Sequence, residues 1–406
     1  MQSYWLWLAL HPGLNAAEKR CLLEYFPTPD RLYAQAPEAP EQPNLIPLLR
    51  KLRDRDMTEA NRVLTLCREK GIRILPFDDP AYPSRLRQLN DAPVVLYCRG
   101  ILPELNRVPV IGVVGTRQAS SYGLKCARTL SAQLCACGAA VISGGAAGID
   151  AAAMESALDA GFPTVGVLGC GVDIVYPKTN AALFSRLLDT GCLLSEYPPE
   201  TPPHKWRFPR RNRIISGISN GVLVVEAPAK SGALITARMA FDQGRDVFVV
   251  PGNIDSPCCT GSNALLSDRA LAVNCGWDIV KEYSCLYPGI LQKREPALPH
   301  SAEPAAPAPV PEAKAPPQKG KTTPKPKKEL DKPEQDPYLT VKEAISKLSG
   351  DEQTLALALT PEPCSVDQLV FSTGLPTGKV LGALTMLQIR GIARQHPGNR
   401  VSLKLK

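Results

Sequence analysis

The sequence predicts an α/β protein built on a doubly wound parallel sheet, preceded by a small helical domain and followed by a winged-helix tail. Three observations carry the prediction. Six short β-rich runs at 110–115, 139–143, 164–168, 192–195, 222–226 and 247–250 are separated by longer stretches. Helical patterns fill those gaps at 122–137, 151–160, 180–189 and 234–243. The β-rich runs are apolar throughout, as strands buried on both faces of a parallel sheet are. Alternation of such strands with helices is the doubly wound pattern, in which ligands sit at the carboxyl ends of the strands.

The other elements follow in chain order. Residues 1–66 read as an N-terminal helical domain, broken by Pro12-Gly13, with amphipathic spacing at 17–25 and 57–66. The sheet domain spans 67–287. From 288 to 337 the chain carries 13 of its 40 prolines, interspersed with alanine and lysine. Such a stretch cannot build ladders or bury apolar area and is expected to be an extended linker. The tail, 338–406, reads as helices at 351–359, 365–373 and 376–390, then a hairpin of 392–394 and 400–403 turning at Gly398-Asn399. Three helices and a hairpin is the winged-helix order.

Composition sets limits. The 406 residues hold 47 Lys and Arg against 39 Asp and Glu, a net charge of +8 that suits a phosphate-bearing partner. No apolar run is long enough to span a bilayer, and the apolar 4–10 stretch lacks the flanks of a signal peptide. Thirteen cysteines are scattered without a CxxC pair, so reduced thiols in the cytoplasm are expected, and no structural metal.

The chemistry gathers at strand ends. After the first strand, Gly115-Thr116-Arg117 precedes Ser120 or Ser121 as a helix cap, placing Arg117 in a loop that faces any ligand. After the second, Ser143-Gly144-Gly145-Ala146-Ala147-Gly148-Ile149-Asp150 opens a helix, where glycines allow close approach and free amides attract phosphate. Asp150 is expected to cap that helix. This loop is neither GxGxxG nor a P-loop, which excludes Walker-type ATP hydrolysis. From Lys205 to Arg213, five of nine residues are basic, none is acidic, and Trp206 and Phe208 interleave them. Cations neutralise phosphates while an aromatic face stacks on a base, the way single strands are held without reading sequence. After the fifth strand, Lys230-Ser231-Gly232 opens another helix, and Glu226 is expected to pair with Arg211 or Arg213. No nucleophile–base pair, two-metal carboxylate cluster or cofactor motif is evident, so no catalytic residue and no cofactor are assigned.

These segments, with Leu168-Gly169-Cys170-Gly171, Tyr176-Pro177, Ser195-Glu196-Tyr197-Pro198, Thr236-Ala237-Arg238, Gly244-Arg245-Asp246-Val247 and Pro251-Gly252, resemble the DNA-processing protein A family, also called DprA or Smf. The resemblance implies an extended Rossmann domain that binds single-stranded DNA in a basic pocket and forms a homodimer, with a SAM or helix-hairpin-helix-like domain before it. It implies a non-enzymatic mediator that protects incoming DNA in natural transformation and loads RecA recombinase, with single-strand binding protein as a further partner. Carried over by position, Arg117, Lys205, Phe208, Arg211 and Arg213 would line the pocket, while Gly144, Gly145, Lys230 and Ser231 would add backbone or polar contacts. Lys205 and Phe208 lie three apart, so the cation would meet a phosphate as the ring meets a base. Two positions depart from the family pattern: Met154 stands where a histidine is usual, and Arg269 where a glycine is common. The rival readings are a Rossmann-fold nucleotide-processing enzyme using Glu226 and a winged-helix transcription regulator. Against the regulator, the third tail helix carries few cations besides Lys379 and Arg390.

Overall fold

The computed structural model describes residues 1–35, 45–52, 54–294, 350–360, 364–390, 392–396 and 400–403. The chain forms two compact units, Met1–Ala306 and Pro307–Lys406. Within the first, the strands are β1 (Arg73–Pro76), β2 (Val95–Gly100), β3 (Val110–Val114), β4 (Ala140–Ser143), β5 (Thr164–Leu168), β6 (Cys192–Ser195), β7 (Gly221–Val224), β8 (Asp246–Val249) and β9 (Leu271–Ala272). They form one sheet in the order β1-β2-β6-β5-β4-β3-β7-β8-β9. The ladders from β6 through β9 are all parallel, and β2 runs antiparallel to both of its neighbours.

All six expected strands form, as β3 to β8. Their continuous apolar character has the expected cause, since helices cover both faces. Leu130, Leu134, Ala152 and Ala153 from helices Ser121–Ala136 and Ile149–Asp159 pack with Val113 and Val141 on one face. Ile214, Ile215, Ala233 and Ala237 from helices Arg207–Ile218 and Gly232–Asp242 pack with Val114 and Val224 on the other. From β3 the chain winds outward through β4, β5 and β6, then returns to place β7 on the opposite side of β3. The switch point therefore lies between the ends of β3 and β7, where doubly wound sheets open a crevice.

The edge strands β1 and β9, and β2 beside β1, have no counterpart among the six runs. β1 and β2 lie before the alternating pattern begins, and β9 is only two residues long. The N-terminal helices do not stand apart from the sheet. Trp5, Leu8 and Leu22 share a core with Tyr97 of β2 and Leu193 of β6, and helix Thr58–Glu69 runs through the expected boundary at 66. At the other end, Gln292 N donates to the Cys137 carbonyl at 3.3 Å, so the chain still lies on this unit beyond residue 287. The rest of the expected linker, from 295, lies outside the described residues. All thirteen cysteines are free thiols.

The second unit holds helices Asp351–Ala358, Val366–Thr373 and Thr377–Ile389, with β10 (Cys364–Ser365), β11 (Ala393–His396) and β12 (Arg400–Leu403) ordered β10-β12-β11. Leu355, Leu369, Val380, Leu384, Leu387 and Val401 form its core. This is the expected winged helix with one further strand; the Gly398-Asn399 turn lies outside the described residues. Lys379 pairs with Asp351 at 3.3 Å and Arg390 with Glu352 at 3.4 Å, so both cations noted on the third helix have partners on the first.

Candidate nucleic-acid interface

At the switch point a cleft of about 640 Å³ opens beyond the ends of β3 and β7. Thr116 and Arg117 line it from the β3 loop, Lys205 from the turn before helix Arg207–Ile218, Phe208 from that helix's first turn, and Lys230 and Ser231 from the β7 loop. A recess of about 140 Å³ shares Arg117, Tyr176, Phe208 and Arg211, and is closed by Gly144, Gly145 and Pro177. Segments far apart in sequence thus meet because β3, β4, β5 and β7 are neighbours in the sheet and all point the same way.

Local structure sets each wall. Ser120 caps the helix after β3 by accepting from Gly123 N at 3.1 Å, and Ser231 caps the helix after β7 by accepting from Ala233 N at 3.3 Å. Gly144 has no room for a side chain: an added Cβ would lie 2.6 Å from Arg211 Nη2 and 2.7 Å from Asp150 Oδ2. Gly145 adopts φ +64°, a left-handed conformation that favours glycine.

Arg117, Lys205 and Lys230 are exposed and take part in no ion pair among the described residues. Between them, Phe208 stacks on Tyr176 with ring centroids 5.3 Å apart and planes 26° apart. Arg117 Cζ lies 5.7 Å from the Phe208 centroid. Free cations around an aromatic face are the parts that bind a phosphate and a base together.

The remaining arginines have different work. Arg211 lines the cleft, but its guanidinium donates to the Gly144 carbonyl at 2.6 Å, to the Val167 carbonyl and to Asn212 Oδ1 at 3.2 Å. Burial draws its pKa down to about 10, against the opposing pull of Asp150. Asp150 is not the helix cap, a position held by Gly148. It stands in the first turn and accepts from Gly144 N at 3.1 Å and Ala146 N at 3.4 Å, tying the glycine loop back on itself. Burial raises its pKa, with Arg211 opposing.

Arg213 lies outside the cleft. It is 5% exposed and paired with Glu196 at 2.5 Å and Asp91 at 3.2 Å, which assigns it to packing rather than to a ligand. Glu226 meets neither Arg211 nor Arg213 as expected. It is 1% exposed and accepts from Ser120 N at 2.9 Å and from Ser120 Oγ, so it is absent from the cleft lining. Met154 is wholly buried beneath the sheet, where a thioether fills the core. Arg269 lies over the Phe241 ring at 4.6 Å and needs no left-handed backbone. Sequence reasoning did not assign Tyr176 to the site. The signal was the Tyr176-Pro177 pair shortly after β5, quoted only as part of the family pattern.

Comparison with known proteins fits this arrangement. The family described as DNA recombination-mediator protein A matches residues 73–284, and the DprA winged helix domain matches residues 341–399. The chain belongs to the DNA recombination-mediator protein A family. It is 42% identical over 221 residues to DNA processing protein DprA of Bacillus subtilis, covering 54% of this chain and 74% of the relative. It is 35% identical over 353 residues to Protein Smf of Synechocystis, covering 82% of this chain and 80% of the relative. The solved structure of DNA processing protein A from Streptococcus pneumoniae superposes with a TM-score of 0.60 at 33% identity, covering 70% of this chain and 98% of that one. The family match runs from β1 to just past Tyr283, so every wall of the cleft falls within it. No helix among the described residues is long and apolar enough to cross a membrane.

Proposed function

We propose that this protein binds single-stranded DNA in the cleft between β3 and β7 without reading its sequence, and acts without catalysis as a recombination mediator. In this reading it is a cytoplasmic homodimer that protects incoming DNA during natural transformation and loads RecA onto it, including strands coated by single-strand binding protein. The observation that carries the binding step is the combination of three unpaired cations, Arg117, Lys205 and Lys230, around the stacked Phe208–Tyr176 pair. Phosphates meet the cations and a base meets the ring, and neither contact depends on base identity. Membership of a recombination-mediator family supports the later steps.

Neither rival finds a comparable feature. Glu226, the carboxylate an enzyme would use, sits beneath Ser120 away from the cleft. A duplex-reading regulator would need free cations on the third tail helix, where Lys379 and Arg390 are paired. Fluorescence anisotropy of matched single- and double-stranded oligonucleotides across a salt series tests the proposal. Tight, salt-sensitive binding to the single strand is expected, and Phe208→Ala should weaken it by about 1–3 kcal/mol. Equal or stronger duplex binding would overturn it. RecA filament assembly on strands coated by single-strand binding protein tests the loading step.

A further inference from the structure

The cleft accounts for Lys205 and Phe208 but not for the indole between them. Trp206 is absent from the cleft lining and is 58% exposed. Arg207 N donates to the His204 carbonyl at 3.0 Å, closing a turn that leaves Lys205 and Phe208 lining the cleft and Trp206 on adjoining surface. The indole is not loose there. Tyr197 meets it edge-on with centroids 6.5 Å apart, and Arg207 Cζ lies 5.0 Å from both ring centroids. Arg207 is itself anchored on the Pro202 carbonyl.

We infer that Trp206, held by Arg207 and Tyr197, is a second base-stacking platform, outside the cleft, for a further nucleotide of the same single strand. The inference rests on the single-strand reading of the cleft. A lone exposed aromatic is unremarkable on a protein surface. This one has its plane fixed by a guanidinium and a tyrosine, which lowers the ordering cost of stacking. It also lies in a run of nine residues, Lys205 to Arg213, with five cations and no carboxylate. A strand leaving the cleft past Lys205 would meet that ring next, with no carboxylate in the run to repel it. Every base offers a π-face, so the platform adds affinity and site length without sequence preference.

Intrinsic fluorescence tests this directly. Of the four tryptophans, Trp5 and Trp7 are buried in the N-terminal core and Trp277 is half-buried, so stacking on Trp206 should dominate any quenching by DNA. The probes are thymidine oligonucleotides of increasing length. Quenching should appear in the native protein only once the probe outgrows the cleft, and should vanish in Trp206→Phe while affinity largely persists. Trp206→Ala should lose about tenfold in affinity for long probes and nothing for the shortest. Unquenched emission at saturating DNA, or native affinity of Trp206→Ala at every length, would overturn the platform. The cleft reading would survive that result provided Phe208→Ala still weakened binding. Native affinity in both alanine variants, or no binding at all, would remove both readings together.

Discussion

Lys205→Ala isolates the electrostatic part of binding, because Lys205 is exposed and has no partner to lose among the described residues. Three free cations line the cleft, Arg117, Lys205 and Lys230, while Arg211 is excluded because carbonyl oxygens occupy its guanidinium. For single strands each neutralised phosphate adds about 0.7 to the slope of log affinity against log salt, so three contacts give a slope near −2. Raising salt from roughly 50 to 200 mM should then cost about 18-fold in affinity for the native cleft and about sevenfold for Lys205→Ala. The assay is anisotropy of a labelled thymidine oligonucleotide at several salt concentrations. Thermal unfolding should be unchanged, since no ion pair is broken. An unaltered slope in Lys205→Ala would refute the assignment of Lys205 to a phosphate, whatever happened to affinity at one salt concentration.

Three further outcomes follow from the buried groups. Arg213→Ala leaves Glu196 with the longer 3.8 Å pairing to Arg210 and removes the contact to Asp91, and should cost about 3 kcal/mol of stability by urea unfolding; a loss confined to DNA affinity would contradict its placement. Glu226→Ala leaves the Ser120 N–H and hydroxyl without their acceptor, costing about 1–3 kcal/mol, and should also weaken DNA binding because Ser120 ends the loop that carries Arg117. Intact binding beside reduced stability would show that Glu226 does not set that loop. Lys19 is buried, donates to the Ala9 carbonyl at 2.5 Å, and has its pKa lowered to about 8, chiefly by burial and then by Arg210. The unfolded chain keeps that proton up to about pH 10.4, so between the two values the unfolded state binds more protons and native stability rises with pH. Unfolding free energy of the native protein relative to Lys19→Met should therefore increase by about 3 kcal/mol from pH 7.5 to 10.5; a constant difference would refute the shift.

What the sequence disclosed and what it hid divide along physical lines. Burial on both faces of a parallel sheet leaves a continuous apolar signature, so β3 to β8 were legible as strands. β9 has two residues and no such signature. Glycine loops and Ser caps at strand ends are local devices, which is why Arg117, Gly144 and Ser231 could be placed from the chain alone. The partners of buried charges are not local. Arg211 and Arg213 are two residues apart on one helix, yet one ties the ends of β4 and β5 while the other pairs with Glu196 and Asp91. No property of the basic run distinguishes them from Lys205. Only the packing of helix Arg207–Ile218 against the sheet does.

That division has a consequence for how the cleft works. A buried guanidinium that already satisfies two carbonyl oxygens cannot turn to a phosphate without leaving those acceptors unpaired, at about 1–3 kcal/mol each. Arg211 therefore gains more as a brace than as a ligand. It fixes the glycine loop through the Gly144 carbonyl, and Asp150 fixes the same loop through two amides. The loop in turn closes the recess beside Phe208 and Tyr176. Braced parts lie inside and exposed cations at the rim, so in the proposed reading a flexible strand would be held by long side chains that follow its phosphates while the aromatic pair stays in place. In the proposed reading sequence tolerance follows from that placement, because the exposed cations would meet the backbone and the Phe208–Tyr176 pair would meet the flat face of a base.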